Sequence, residues 1–180
     1  MQLLKSLLII GLIVLAGASA FISSGLYPIG ADNPHTRVVY WALETLRERS
    51  VANASKNIVV PALDDPQLLL SGGPDYNEMC ASCHLKPGKS ESDLSLGLYP
   101  VPPNLTISHG DHGADHDSPE QRFWVIKHGI KASGMPAWGL THDDQRIWAM
   151  VAFLQKLPEL TPFQYQILTA RTSSNEEHGH

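Results

Sequence analysis

Cys80-Ala81-Ser82-Cys83-His84 constrains this chain more than any other stretch. Two thiols three positions apart share one face of a helical turn. A histidine follows at once. The spacing suits covalent haem: the thiols add across the two vinyl groups on one edge of the ring, and the imidazole reaches the iron from below. The chain has no other cysteine, so one haem c per chain accounts for both thiols. A disulfide, half of a zinc site or a redox dithiol would use the same pair. None of these explains the adjacent histidine. Zinc would want a second CxxC, and a thioredoxin-like motif would want strands around it.

A haem iron has two axial positions. Far downstream stands Gly134-Met135-Pro136-Ala137-Trp138-Gly139. Met135, between glycine and proline, sits in a loop that cannot easily become a helix. A thioether held this way completes the iron in His/Met sites. The competing role for Met135 is that of an adaptable gap-filler. Met79 abuts the attachment turn, Met1 begins an export signal and Met150 lies in a helical apolar pattern, so all three are poorer ligands. His128 is the alternative ligand nearest in sequence. Its place at a helix end, where positive charge meets the C-terminal dipole, explains it more simply.

With these residues in view, the chain resembles the class I, His/Met, c-type cytochromes. The stretch Phe123-Trp124-Val125-Ile126-Lys127-His128-Gly129-Ile130 and the closing helix Asp143–Leu157 resemble single-haem cytochrome c domains that serve periplasmic dehydrogenases and oxidases. The resemblance covers about residues 66–158. It implies an all-α cytochrome c fold in which the first and last helices cross. Many such cytochromes carry Gly-Pro shortly after the histidine, and a carbonyl there orients the imidazole. Here the order is Pro87-Gly88. The expected replacement is a carbonyl from the stiff, apolar run Tyr99-Pro100-Val101-Pro102-Pro103-Asn104-Leu105 in the loop 90–104.

The remaining organisation follows in chain order. Lys5, the apolar run Leu7–Ala16 and Ala18-Ser19-Ala20 form an export signal, residues 1–20. Haem attachment outside the bacterial cytoplasm, which the resemblance implies, agrees with an exported, periplasmic protein. The A-x-A pattern favours cleavage and a soluble product. The alternative is an uncleaved inner-membrane anchor reaching to about residue 24, with Leu3 and Leu4 bringing the run close to the ~20 residues that span a bilayer. Residues 25–63 form a connector with one helix at about 34–50. Asp32 or Asn33 caps it, Pro34 suits its first turn, and Val38, Val39, Ala42, Leu43 and Leu46 recur at helical spacing. The haem domain spans 64–158. Its first helix, Gln67–Ser82, is expected to bend at Gly72-Gly73-Pro74. Ser118-Pro119 starts the next helix and Gly129 ends it. Thr141–Asp144 caps the last, whose apolar face is Ile147, Trp148, Val151, Phe153 and Leu154. Thr161-Pro162 starts a short helix in the segment 159–180, before a disordered His-containing tail.

His109, His112 and His116 alternate with Asp and Gly. They are a second candidate metal site, for Cu²⁺ or Zn²⁺, on composition alone. The glycines favour an exposed loop instead.

At 180 residues and 43% hydrophobic, the length suits one domain with extensions. The net charge of −5 argues against a nucleic-acid binder. No Ser/His/Asp set, phosphate loop or carboxylate pair stands out, so no catalytic residue is assigned and the chain is not read as an enzyme. The reading is a single-haem one-electron carrier whose partners are a dehydrogenase, an oxidase or another carrier. Lys86, Lys89, Lys127 and Lys131 bracket the attachment site and the methionine loop, where they would steer an acidic partner. Two alternatives stay open: a haem peroxidase or ligand sensor with an open iron, and a metal-handling protein using the His-rich loop.

Overall fold

Proline and a capping oxygen set where most of the helices begin. In the computed structural model Asp65 accepts from the Gln67 N–H at 2.9 Å, with Pro66 behind it. Thr161 and Gln164 form a reciprocal capping box ahead of Pro162. The Asp143 side chain accepts from Arg146 N–H at 2.8 Å. The structure describes residues 1–107 and 118–170. Within them the chain is helical, without a strand. It divides into Met1–Pro34 and His35–His180.

The first unit is α1, Gln2–Ser24, a 23-residue helix ended by Gly25 at φ 65. An 18-residue window of it has a mean hydropathy of 2.4, so the helix is long and apolar enough to cross a membrane.

The second unit starts with α2, Arg37–Ser55. It begins later and ends later than the sequence patterning suggests. Thr36, not Asp32 or Asn33, lies at the cap, with its hydroxyl 3.5 Å from the Val39 N–H. The C-terminal extension is held by Val51 and Ser55, both buried.

Helix α3, Pro66–Asp75, continues through a π-helical turn, Tyr76–Cys80, into α4, Ala81–His84. The bend expected at Gly72-Gly73-Pro74 is replaced by continuous helix with Pro74 inside it, and the irregularity falls one turn later. The glycines serve close approach. A methyl group built on Gly72 would run into the Ala149 carbonyl and lie 2.9 Å from Met150 N. One on Gly73 would strike the Leu168 carbonyl. So α3 crosses α7, Asp144–Lys156, backbone to backbone, and also meets α8, Pro162–Thr169. This is the first-and-last helix crossing that the resemblance implies.

The loop 90–104 contains a helical turn, α5, Asp93–Gly97, capped reciprocally by Ser92 and Ser95. Helix α6, Pro119–His128, buries Phe123 and Ile126 and ends at Gly129. Phe123 stacks on Trp148 of α7 with centroids 4.2 Å apart. The core is Tyr76, Phe123, Ile126, Ile147, Met150, Val151, Phe153, Leu154, Leu157 and Tyr165. Burying these side chains is the main source of stability, each contributing about 1.5–3 kcal/mol against exposure.

Candidate haem site

The site grows from the end of the long α3–α4 helix. Its final turn carries Cys80, Cys83 and His84, and both cysteines are free thiols, each half-buried. Burial, with the neighbouring charge of Asp75, pushes the Cys80 thiol up to about 12. A sulfur here is therefore favoured uncharged, as it is in a thioether.

The helix stops at Leu85, which takes φ 69 although it is not glycine. Such a conformation is costly unless its surroundings fix it. Three contacts do so. Leu85 N–H donates to the Ala81 carbonyl at 3.0 Å, the side chain is buried, and Tyr76 O–H donates to the Leu85 carbonyl at 2.7 Å. The same hydroxyl is 3.3 Å from the His84 carbonyl. Burial pushes the Tyr76 phenol well above its usual range, so it remains a donor.

His84 Nδ1 lies 2.9 Å from the Pro103 carbonyl. A carbonyl only accepts, so Nδ1 carries the proton and Nε2 keeps its lone pair. Burial lowers the His84 pKa, while the Pro103 hydrogen bond opposes that shift. Leu105 N–H closes the strap on the His84 carbonyl at 3.2 Å. The acceptor for the histidine thus comes from the proline-rich run, in place of the absent Gly-Pro. A second tie runs from Ser92 Oγ to the Ser82 carbonyl at 2.6 Å.

The strap also reaches the methionine loop. A methyl group on Gly134 would sit 2.7 Å from Leu98 Cδ2, so the two residues lie against each other. Leu98 to Leu105 therefore runs from Gly134, next to Met135, to His84. Met135 is half-buried and packs on the core. Its backbone is held on both sides: its N–H donates to Ser133 Oγ at 3.1 Å, and its carbonyl accepts from Ile130 N–H at 3.2 Å. Ser133 Oγ itself donates to the Ile130 carbonyl at 2.8 Å.

The other candidates separate from this cluster. His128 is exposed at the end of α6, its ring 4.9 Å from that of Trp124. Lys127 is engaged, donating to Asp144 at 2.6 Å and lying over the Phe123 ring. Lys86, Lys89 and Lys131 are exposed. His109, His112 and His116 lie outside the described residues. Among the described residues no three His, Cys, Asp or Glu side chains converge as a metal site. The sequence reading missed the residues that hold the ligand candidates: Tyr76, Gly129, Ile130 and Ser133. Only the small residues around Met135 hinted at them.

The donor set fits haem in its chemistry. Two thiols share one helical turn, the neighbouring imidazole has a free Nε2, and a strap carrying exposed Val101 links it to the thioether loop. A helical fold with a single CxxCH turn at Cys80, Cys83 and His84 defines a c-type cytochrome domain, with haem c bound covalently. Residues 67–154 match the family described as cytochrome c oxidase, cbb3-type, subunit III. No curated protein and no solved structure matches the chain.

Proposed function

We propose that the protein is a one-electron carrier, anchored by α1 to the inner membrane on its periplasmic side, with an oxidase among its partners. The observation that carries the reading is the Leu98–Leu105 strap. It ties His84 through Pro103 and touches the loop of Met135 at Gly134. His84 and Met135 are the proposed axial ligands, and Cys80 and Cys83 the attachment points. When bound, haem supplies a one-electron Fe(III)/Fe(II) couple. The chain's part is to hold both ligands through a change of valence. His84 is fixed in one tautomer by Pro103, and Met135 is fixed at both its N–H and its carbonyl. An iron with neither position open transfers electrons without binding substrate.

The family match to an oxidase subunit supports the partner class. The anchor reading rests on the length of α1: at about 1.5 Å per residue its 23 residues extend about 35 Å, enough to cross a bilayer's hydrocarbon core.

The test compares Met135→Ala with His128→Ala. Met135→Ala should erase the weak near-infrared sulfur-to-iron band of the ferric protein, lower the reduction potential and let carbon monoxide reach the ferrous iron. His128→Ala should leave all three unchanged. Ready binding of carbon monoxide by the wild-type ferrous protein at neutral pH would replace the carrier with an open-iron enzyme or sensor.

A further inference from the structure

Helix α2 is amphipathic the wrong way round. On a helical projection Val38, Ala42, Leu43 and Leu46 occupy one side, with Val39 among them. Val51 and Ser55, the buried residues of this helix, lie on the opposite side. With them lie the half-buried Glu44, Arg47 and Glu48, the first two joined as an ion pair. The charged side thus meets the domain, through α6, and the apolar side meets water. Val38 is 74% exposed, Leu46 66% and Leu43 50%. A soluble surface helix normally shows the reverse pattern, and an apolar stripe left outside marks a contact surface.

Three observations choose the occupant. The residues between α1 and α2 are only twelve, 25–36, a span of at most about 40 Å. That short link itself exposes Leu26 and Ile29. The exposed charged residues of α2 are Arg37 and Arg49, both positive in a chain of net charge −5, and Arg49 lies on the same side as Val38 and Ala42. Trp41, exposed at the flank of the stripe beyond Val38, suits the boundary between headgroups and acyl chains.

We propose that the Val38–Leu46 face of α2 lies in the surface of the anionic bilayer that α1 crosses. The inference rests on α1 being retained. Seating α2 there holds the haem domain beside the membrane, where a membrane-embedded oxidase is met without free diffusion.

Haem attachment consumes both native cysteines, so an introduced cysteine takes a spin label alone. The full-length ferric holoprotein carrying Ala42→Cys is spin-labelled and reconstituted in vesicles of phosphatidylglycerol and phosphatidylethanolamine. Lys89→Cys is the aqueous control. The label at 42 should collide with lipid-dissolved oxygen at least several-fold more, relative to a water-soluble nickel complex, than the label at 89. The pair Val38→Asp and Leu46→Asp should remove that difference while the haem spectrum stays unchanged. Equal nickel access at both positions overturns the proposal. Shielding at 42 from oxygen and nickel alike also overturns it, because that marks a protein contact such as a second copy. Intact mass and retention in vesicles after an alkaline carbonate wash report α1 separately. An anchored chain with position 42 in water defeats only this inference. A chain cut near Ala20 and recovered in the wash defeats the anchor as well.

Discussion

Arg146 grips Asp75 with both arms of its guanidinium, Nε at 2.6 Å from Oδ2 and Nη2 at 2.8 Å from Oδ1. The pair locks α3 to α7 beside the backbone crossing at Gly72. Its two halves sit in different surroundings: the Asp75 side chain is 7% exposed and that of Arg146 35%. The hydrogen bonds to Asp75 raise the Arg146 pKa further, so the guanidinium stays charged. Removing the arginine takes the bidentate cation from a carboxylate that is almost fully buried, whereas removing the aspartate leaves a cation that can turn to water. Arg146→Met should therefore cost about 3 kcal/mol and Asp75→Asn about half that. Denaturant unfolding of the holoproteins near neutral pH measures both. Equal losses, or a larger loss from Asp75→Asn, would contradict the asymmetry.

The two glycines of α3 give a second contrast. A methyl on Gly72 meets the Ala149 carbonyl in the middle of α7, where neighbouring buried residues fix the helix. A methyl on Gly73 meets the Leu168 carbonyl near the end of α8, which has a single buried residue, Tyr165. The second helix can yield and the first cannot. Gly72→Ala should lower stability by about 2–3 kcal/mol, and Gly73→Ala by less. Thermal unfolding followed by haem absorbance and far-UV circular dichroism separates the two. A Gly73→Ala variant less stable than Gly72→Ala would place the rigid contact at α8 instead.

These glycines also show where the sequence was readable. Capping oxygens at Asp65 and Thr161 and first-turn prolines at Pro66, Pro119 and Pro162 marked helix starts, because both act locally, although the Ser118 hydroxyl makes no cap bond. The Cys80–His84 spacing named the cofactor because the ligand chemistry is written into adjacent residues. Gly72-Gly73-Pro74 misled for the opposite reason. By local preference it breaks a helix, but contact with α7 and α8 outweighs that preference. The identity of Pro103 as the His84 acceptor and the tethers on Met135 depend on how distant segments meet. No spacing within one segment reveals them. The outward apolar face of α2 was visible as a period, while its direction was not.

Tyr76 links stability to alkaline pH. Its hydroxyl donates to Leu85, and burial raises its pKa, with Tyr165 adding to the shift. An unfolded tyrosine ionises near pH ~10. Below that value both states hold the proton and the contribution is complete. Above it the unfolded chain releases a proton that the folded chain keeps, so stability declines as pH rises. Tyr76→Phe should cost about 1–2 kcal/mol at neutral pH by leaving the Leu85 carbonyl without this donor. The variant should also lose stability less steeply between about pH 10 and 11. Denaturant midpoints across that range provide the measurement. Parallel slopes for wild type and variant would mean that Tyr76 does not stay protonated in the fold.

Gly129 governs the methionine loop without being a ligand. It takes φ 63 and ψ −169, a region that essentially only glycine occupies comfortably. A methyl group there would lie 2.7 Å from the Met135 carbonyl oxygen and 2.8 Å from Ala137 N. These atoms belong to the backbone that presents Met135, and no flexible side-chain tip is available to move aside. Gly129→Ala must therefore displace the loop or distort the end of α6, with about 1–3 kcal/mol of backbone strain. If Met135 binds the iron, that displacement should weaken the ferric sulfur-to-iron band and increase carbon monoxide binding to the ferrous protein, while His84 ligation persists. Ser133→Ala offers a milder version. It removes the hydroxyl that accepts from Met135 N–H and donates to the Ile130 carbonyl, yet leaves φ and packing at Gly129 intact. The expected order of carbon monoxide affinity is wild type, then Ser133→Ala, then Gly129→Ala, then Met135→Ala. Flash photolysis and titration of the reduced proteins give that order directly. A Gly129→Ala protein that loses stability but keeps the wild-type band and excludes carbon monoxide would show that Gly129 does not set the position of the iron ligand.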